Sequence, residues 1–232
     1  MNLTNAAVPL NARRIDWSAI DIALLDMDGT LLDLNYDNTV WNIHLPQAFA
    51  QHRGITVEQA RQTLHAEMAQ IRGTIQFYSF DYWESFTGLD LVELHRRSVE
   101  NIVYRPGALA FLRWLKARGI FTVIATNAHR RSLLVKEEAL PIADEVDHIV
   151  SSQDLNTPKE DQGYWSGLQA KFPFDPSRAF FADDSDPVLH AAEAFGIGQI
   201  WTITTPDSCK PSRSALNYPQ FDHFQEICPE LT

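Results

Sequence analysis

Residues 24–34, LLDMDGTLLDL, decide how the rest of the chain is interpreted. An apolar run leads into two aspartates, Asp26 and Asp28, which are separated by a single methionine. A short apolar run of this kind is typical of a strand that is buried on both faces of a parallel sheet. Two carboxylates at the end of such a strand repel each other at neutral pH unless a cation offsets their charge. The stretch therefore predicts a buried strand that ends at a charged site.

The composition of the chain is that of a protein with a large buried core. The sequence has 232 residues, of which 45% are hydrophobic and 21% are charged. We expect one large domain, or a core domain with a smaller insert. The formal net charge of −11 disfavours a broad nucleic-acid-binding face, because phosphate backbones are also negative. A small phosphorylated ligand that is held locally stays compatible with this charge.

Neither the cysteines nor the N-terminal residues indicate secretion or a membrane. Cys209 and Cys228 form no CxxC motif and stand near no histidine pair, so we expect reduced thiols. The first residues contain no long apolar segment, and no apolar run approaches the length of a membrane-spanning helix. We therefore predict a cytoplasmic protein without a membrane partner. Nothing in the sequence indicates an oligomeric state.

Residues 37–103 show mainly helical periodicity. Thr56 and Gln59 are spaced as a capping box, and an apolar face follows them in the sequence. A further helix is predicted over residues 90–102 from the spacing of its apolar side chains. We therefore predict an all-helical second domain over residues 35–105, inserted between the first strand and the rest of the fold.

From residue 106 onward, strands alternate with helices. Runs rich in β-branched and aromatic residues predict four more strands, over residues 120–126, 147–152, 178–184 and 199–204. We expect the last of these to be the final strand of the sheet. Such alternation is typical of a parallel sheet with helices on both faces. The prediction is an α/β fold with a Rossmann-like core formed by residues 1–34 and 106–232.

Distinctive polar residues stand where the predicted strands end. They follow the first strand (Asp26 and Asp28), the second (Thr126 and Asn127), the third (Lys159) and the fourth (Asp183 and Asp184). Because the carboxyl ends of parallel strands meet at one edge of a sheet, we expect these groups to converge there as an active site. The acids offer only oxygen ligands, which suit Mg²⁺, and a metal held in this way can bind a phosphate. Thr126, Asn127 and Lys159 would then supply hydrogen bonds and a positive charge for that phosphate.

Four motifs, in this order, resemble those of a known superfamily. DMDGT (26–30), ATN (125–127), PK (158–159) and ADDS (182–185) are similar to motifs I to IV of the haloacid dehalogenase superfamily of phosphohydrolases. The helical insert after the first motif resembles the C1 cap of that superfamily. More closely, DMDGTLLDLNYDN, DYW, ATNAH, PKEDQ, DDSDPVLHAA, FGI and TPDS resemble bacterial GMP/IMP nucleotidases, over nearly the whole chain.

The resemblance implies a catalytic role for four of the matched residues. Asp26 is the nucleophile, which attacks phosphorus and forms an aspartyl-phosphate. Asp28 protonates the leaving oxygen and then activates the water that hydrolyses the intermediate. Thr126 and Lys159 hold the transferring phosphoryl group, with Asn127 beside them.

Mg²⁺ is the cofactor that the resemblance implies. Its ligands would be Asp26, the backbone carbonyl of Asp28, and Asp184, with Asp183 as the further acid of the metal site. Many relatives carry another acid four or five residues after this motif, where this chain has a leucine and a histidine. Asp186 is the residue that could take its place.

The motifs together predict a Mg²⁺-dependent phosphomonoesterase that hydrolyses purine nucleoside 5′-monophosphates such as GMP and IMP. A phosphatase or phosphomutase that acts on a sugar phosphate or another small phosphometabolite is the alternative. Asp28 disfavours a dehalogenase, because an acid–base residue at this position belongs to the phosphatase branch. The length of the chain and its helical insert disfavour an Asp-phosphorylated receiver domain.

Several side chains of the insert and its surroundings have two possible roles. Aromatic residues of the insert could stack on a purine, although such residues more often form a small core: Tyr36, Trp41, Tyr78, Tyr82 and Trp83. We interpret the histidines as structural or surface residues, with His129 as the one to consider further as a substrate contact. Asp33 and Asp37 are interpreted as solvated acids that need no function.

Overall fold

The core of the protein is a six-stranded parallel sheet. The computed structural model describes residues 14–214 and 216–231, so the predictions made for residues 1–13 lie outside the described residues. The strands are β1 (Ile22–Leu25), β2 (Phe121–Thr126), β3 (His148–Ser151), β4 (Ala179–Asp183), β5 (Gln199–Ile203) and β6 (Gln220–Phe221). They lie in the order β3-β2-β1-β4-β5-β6, and every neighbouring pair is parallel. The predicted Rossmann-like α/β fold is confirmed.

The register of the sheet brings the ends of its central strands to one level. All four residues of β1 are buried, as expected for a strand covered on both faces. Leu25 pairs with Ile124 of β2 on one side and with Ala182 of β4 on the other. The residues that follow Leu25 and Ala182 are Asp26 and Asp183, which are therefore neighbours across the strand ends. The order of the strands reverses here, and this is where α/β sheets bind ligands.

Five helices lie between β1 and the remainder of the sheet. They are α1 (Asn35–Thr39), α2 (Leu45–Arg53), α3 (Val57–Ile71), α4 (Phe80–Thr87) and α5 (Leu91–Arg96), with a π-helix over Val40–His44 between α1 and α2. The capping box at the start of α3 is confirmed, because Thr56 and Gln59 each accept a hydrogen bond from the other's backbone N–H. All five helices fall within residues 35–105. The division into two domains at these boundaries stays a prediction.

Six more helices cover the sheet. They are α6 (Ala108–Ala117), α7 (Arg130–Ala139), α8 (Ser152–Leu155), α9 (Gln162–Lys171), α10 (Asp186–Phe195) and α11 (Phe224–Ile227). On one face of the sheet, Trp165 of α9 and Val188 of α10 pack in a cluster with Leu24. On the other face, the cluster that contains Phe111 of α6 continues into the insert as far as Trp83. The insert and the sheet therefore share one continuous apolar core.

Two predictions about the elements are wrong. The sheet does not end at β5, because β6 adds to it, and a strand of two residues is too short to show an alternating pattern in the sequence. The helix predicted over residues 90–102 ends at Arg96, and Val99–Asn101 form a separate 3₁₀ turn. The chain leaves the helical conformation at Ser98, whose hydroxyl contacts His44 Nδ1 at 3.2 Å. A tertiary contact thus overrides the local helical pattern.

Two further findings concern the length of the helices and the state of the cysteines. Within the described ranges, no helix is both long enough and apolar enough to cross a lipid bilayer. Cys209 is exposed and Cys228 is buried, and both are free thiols, as predicted.

Gly198, just before β5, lies against the backbone of the turn that precedes β4. A Cβ atom at this position would lie 2.1 Å from the backbone carbonyl oxygen of Ser177. We expect Gly198→Ala to lower the free energy of unfolding by about 1–3 kcal/mol, because the backbone has to move apart. Gly167→Ala in α9 is the control, since its Cβ would meet only the flexible side chain of Leu155, at 3.2 Å. Gly167→Ala should leave the free energy of unfolding unchanged or raise it by up to about 1 kcal/mol. Urea denaturation measures both, and equal midpoints for the two variants would contradict the packing argument.

Candidate active site

The loop after β1 turns back around the carbonyl group of Met27. The backbone N–H of Leu32 donates to this carbonyl at 2.8 Å, and Gly29 takes a left-handed conformation with a φ of 94°. The Met27 side chain is fully buried in the core. Asp26 and Asp28, on either side of Met27, both line one cavity, which is described below.

Lys159 is buried between two carboxylates at the strand ends. Its ammonium donates to Asp26 Oδ1 at 2.5 Å, to Asp183 Oδ2 at 2.7 Å and to the Ala125 carbonyl at 2.8 Å. These three bonds use all of its donors. Burial lowers the pKa of Lys159, but Asp183 and Asp26 raise it more, so the side chain keeps its charge. Burial raises the pKa of Asp26 well above its usual range, and Lys159 opposes this shift.

Asp184 differs from Asp26 and Asp183, which share Lys159. In the part of the chain that the structure describes, no donor bonds its carboxylate, and Arg213 instead donates to its backbone carbonyl at 2.6 Å. Burial, and then the charge of Asp183, raises the pKa of Asp184 to about 7. A Cβ atom on Gly29 would lie 2.8 Å from Asp184 Cγ, so only glycine lets this carboxylate lie over the loop after β1.

Three carboxylates form a group that could hold a metal ion. Oxygen atoms of Asp26, Asp183 and Asp184 all lie within 4.8 Å of one another. Both oxygens of Asp183 already accept hydrogen bonds, from Lys159 and from the backbone N–H of Ser185. Asp186 begins α10 and does not belong to this group among the described residues. The donor set consists of oxygen atoms and carries more negative charge than Lys159 offsets, which suits a hard divalent cation.

Thr126 and Asn127 open the loop after β2. Thr126 Oγ1 accepts a hydrogen bond from the backbone N–H of Ala128 at 3.0 Å, which leaves the hydroxyl proton for another acceptor. The Asn127 side chain donates to Glu160 Oε2 and accepts from the backbone N–H of Lys159, both at 3.0 Å. It therefore braces the loop that carries Lys159, with one amide N–H left over for a ligand.

A second buried lysine, Lys136 of α7, contacts Asp28, and the sequence interpretation missed it. Its Nζ lies 2.6 Å from Asp28 Oδ1 and 3.0 Å from Asp37 Oδ2. Burial lowers the pKa of Lys136, but Asp28 and Asp37 raise it above its ordinary value. The signal was present in the sequence: Lys136 stands three residues after Leu133 and four after Ser132, which places it on the buried face of α7.

The interpretation of Asp33 and Asp37 as solvated acids is wrong. Asp33 is buried, and its Oδ1 accepts from the backbone N–H groups of Asn35 at 2.9 Å and Ser208 at 3.1 Å. Asp37 accepts two hydrogen bonds from Lys136. A carboxylate that is largely withdrawn from water needs such partners, and two of the three, Ser208 and Lys136, lie far away in the sequence.

The pKa of the Asp28 carboxyl group is higher than that of an ordinary aspartate. Burial raises its pKa to about 6, with Asp37 adding to the shift and Lys136 opposing it. A carboxyl group with such a pKa can both donate and accept a proton near neutral pH.

His129 has a structural role at the start of α7. Its Nδ1 accepts a hydrogen bond from the backbone N–H of Arg131 at 3.2 Å, and its ring stacks on Phe80 with the centroids 4.9 Å apart. Burial, with Arg131 nearby, lowers the pKa of His129, so the ring is neutral. It also lines the cavity described next.

A cavity of about 360 Å³ opens above the strand ends. Side chains from the sheet edge form its floor: Asp26, Asp28, Thr126, Asn127, Lys159, Asp183 and Asp184. Apolar side chains of the insert form much of its wall: Trp41, Met68, Phe77, Tyr78, Phe80 and Trp83. The cavity thus joins a charged floor to an apolar wall, which suits a small ligand with one charged and one aromatic end.

The aromatic residues considered from the sequence divide into two groups. Trp41, Tyr78 and Trp83 line the cavity. Tyr36 instead donates to the backbone carbonyl of His95, and Tyr82 bonds Glu67 on α3. Tyr78 also donates to Glu160 at 2.5 Å, which connects the insert to the loop of Lys159.

Comparison with known proteins identifies the family. The model of the haloacid dehalogenase-like hydrolases matches residues 20–196. The GMP/IMP nucleotidase YrfG of Escherichia coli strain K12 is 33% identical over 217 residues, which cover 94% of this chain and 98% of the nucleotidase. The protein of the same name from Shigella flexneri matches with the same figures.

Solved structures share the fold at lower identity. The haloacid dehalogenase phosphatase of Thermococcus onnurineus superposes with a TM-score of 0.74 at 20% identity, covering 91% of this chain and 98% of that one. The L-2-haloacid dehalogenase PA0810 superposes with a TM-score of 0.61 at 18% identity, covering 92% and 100%. These two likenesses concern the fold alone. On the family match and the full-length relative, this chain belongs to the haloacid dehalogenase-like hydrolases and is an enzyme of the phosphatase type.

Proposed function

We propose that this enzyme is a Mg²⁺-dependent phosphomonoesterase that hydrolyses purine nucleoside 5′-monophosphates, with GMP and IMP favoured. One observation carries the reaction: Asp26 and Asp28 project into the same cavity, each beside its own buried lysine. The substrate class is supported by the relative that is named a GMP/IMP nucleotidase, and by the aromatic wall above the charged floor. We further propose a cytoplasmic location, which the two free thiols support.

In the first half of the reaction, a carboxylate oxygen of Asp26 attacks phosphorus, and the bond between phosphorus and the 5′-oxygen breaks. Asp28 donates its proton to the departing oxygen, for which its raised pKa is suited. The Thr126 hydroxyl and the Lys159 ammonium stabilise the charge on the transferring phosphoryl group. Esterification removes the charge of Asp26, and this frees Lys159 to turn its third donor toward the phosphoryl oxygens.

In the second half, water attacks the phosphorus of the aspartyl-phosphate. Asp28, now a carboxylate, accepts the proton from this water. The bond between phosphorus and the Asp26 oxygen breaks, which releases inorganic phosphate and restores the Asp26 carboxylate. Asp28 ends the cycle protonated, as it began it.

Mg²⁺ fits the acidic group at the strand ends, because all donors there are oxygen atoms and Asp184 lacks a cationic partner among the described residues. Asp26, Asp184 and the backbone carbonyl of Asp28 would hold the ion. Asp183 has both oxygens engaged, so it would act mainly by orienting Lys159. When bound, the ion supplies positive charge to the substrate phosphate and offsets the surplus charge of the carboxylates.

Replacement of the nucleophile tests the mechanism. We expect Asp26→Asn to lower kcat for GMP at least about a thousandfold, because an amide cannot form the phosphoryl ester. The variant should keep its fold and still bind GMP. Asp21→Asn, at an exposed ion pair just before β1, is the control and should stay within about twofold of the wild type. Phosphate release and isothermal titration provide the two measurements, and undiminished turnover by Asp26→Asn would refute the covalent mechanism.

The substrate class can be tested at the aromatic wall. We expect the wild type to hydrolyse GMP and IMP more efficiently than ribose 5-phosphate, which lacks the base. Trp41→Leu should raise KM for GMP about tenfold, since stacking on a base contributes about 1–3 kcal/mol. The same substitution should leave kcat/KM for ribose 5-phosphate nearly unchanged. If the wild type cleaved sugar phosphates and neither nucleotide, the purine nucleotide assignment would be wrong.

The metal site can be tested by thermal unfolding without any substrate. The pKa of Asp184 is about 7 in the folded chain, and its ordinary value of 3.8 applies to the unfolded chain. Between these two pH values, the folded chain binds the carboxyl proton more tightly than the unfolded chain does. In EDTA, stability should therefore fall as the pH rises from about 5 to about 7.5. Mg²⁺ binds the ionised form and should raise Tm more at about pH 7.5 than at about pH 5.

Two variants serve as references for this experiment. Asp184→Asn should be more stable than the wild type in EDTA at about pH 7.5, and it should lose most of the Mg²⁺-induced rise in Tm. Asp144→Asn alters an exposed acid away from the cavity and should behave as the wild type does. A rise in Tm with Mg²⁺ that is the same in all three proteins would place the ion elsewhere.

A further inference from the structure

We propose that Lys136 is a positioning residue of the reaction: it holds the Asp28 carboxyl in place and ties that position to Asp37 of the helical insert. This inference rests on the proposed function, because it assigns Lys136 a role through the acid–base group. The Lys136 side chain is 1% exposed, and its Nζ lies 2.6 Å from Asp28 Oδ1. Lys136 is not one of the described residues that line the cavity. We therefore assign it an effect through Asp28 and no contact with the substrate.

The surroundings of Lys136 explain why a charged residue is buried there. Removing an ammonium group from water costs several kcal/mol unless opposite charges and hydrogen bonds replace the solvent. Asp28 and Asp37 provide the charges, and the ring of Tyr36 lies 5.4 Å from Nζ. Tyr36 is itself fixed by its hydrogen bond to the His95 carbonyl at 2.9 Å. Two of these three neighbours of Lys136, Asp37 and Tyr36, belong to the insert.

The two carboxylates contact Lys136 in different ways. Both oxygens of Asp37 accept hydrogen bonds from Nζ, at 3.0 and 3.1 Å. Asp28 Oδ1 lies 2.6 Å from Nζ, which is within the distance of a hydrogen-bonded ion pair. Asp37 therefore orients Lys136, and Lys136 attracts Asp28 by charge. The Asp28 carboxyl is thereby held beside Asp37 through one shared cation.

The arrangement has a consequence for the insert. Asp37 lies on α1 and Lys136 lies on α7, so the position of Asp28 depends on α1 being seated against the core. Without Lys136, the carboxylates of Asp28 and Asp37 would face each other with no cation between them. Asp28 would then turn away from the position where it can reach the leaving oxygen.

The experiment compares two leaving groups. The alkoxide that leaves GMP needs a proton, whereas the nitrophenolate that leaves p-nitrophenyl phosphate is stable without one. We expect Lys136→Met to lower kcat/KM for GMP about a hundredfold and for p-nitrophenyl phosphate less than about fivefold. KM for GMP should change little. If the wild type cleaves ribose 5-phosphate and not GMP, that ester replaces GMP in the comparison.

Arg131→Met is the matched control. Arg131 also lies on α7 and also pairs with the insert, through Glu84 at 2.9 Å and Asp81 at 2.6 Å, but it does not contact Asp28. Loss of this pair should affect both substrates equally. If Lys136→Met fails to fold, Asp37→Asn provides the test, because it disturbs the orientation of Lys136 and should reduce GMP cleavage at least about fivefold more than aryl ester cleavage.

The possible outcomes separate the two proposals. Equal losses on both substrates, or a pattern that matches Arg131→Met, would show that Lys136 only supports the fold and would overturn this inference. A wild type that cleaves no phosphate ester would instead overturn the proposed function. Circular dichroism and urea denaturation of each variant confirm that the kinetic changes belong to folded protein.

Discussion

The excess of negative charge at one edge of the sheet is the constraint on which the rest of the site depends. Asp26, Asp28, Asp183 and Asp184 converge there, and burying an uncompensated carboxylate costs several kcal/mol. Lys159 is shared by Asp26 and Asp183, and Lys136 is shared by Asp28 and Asp37. The Asp184 carboxylate accepts no hydrogen bond from the described residues, and burial, followed by the charge of Asp183, raises its pKa to about 7. Five carboxylates are thus set against two lysines, and this surplus of negative charge is the physical reason to propose a metal ion.

The fold meets this constraint by bringing distant parts of the chain to one place. Parallel pairing aligns the ends of β1 and β4, so Asp26 and Asp183 lie level and can share one lysine. The second lysine needs a partner from outside the sheet, and the insert supplies it in Asp37. The insert therefore forms the wall of the cavity, and it also supplies Asp37, one of the charges beside the cavity floor. Its apolar core, which is continuous with that of the sheet, keeps this partner in position.

Sequence reasoning succeeds where function and structure depend on local pattern. The β1 run, the capping box at Thr56 and the polar residues at strand ends are all visible within a few residues. It fails where a side chain's environment is set by distant contacts. Lys136 stands in a segment of charged residues, and its partners lie about a hundred positions away, so periodicity could place it on the buried face but could not name those partners. The two residues of β6 pair with Thr202 and Ile203 of β5, and two residues are too few to show a strand pattern in the sequence.

The fold alone does not select the chemistry, because proteins with this fold include a phosphatase and a dehalogenase. We propose that the selection lies at Asp28, two residues after the proposed nucleophile. Ester hydrolysis needs one group that gives a proton and then takes one back, and this requires a pKa near the working pH. Burial and Asp37 raise the pKa of Asp28 to about 6, while Lys136 keeps it from rising further. Burial, Asp37 and Lys136 together therefore give Asp28 a pKa at which this one residue can serve both halves of the proposed reaction.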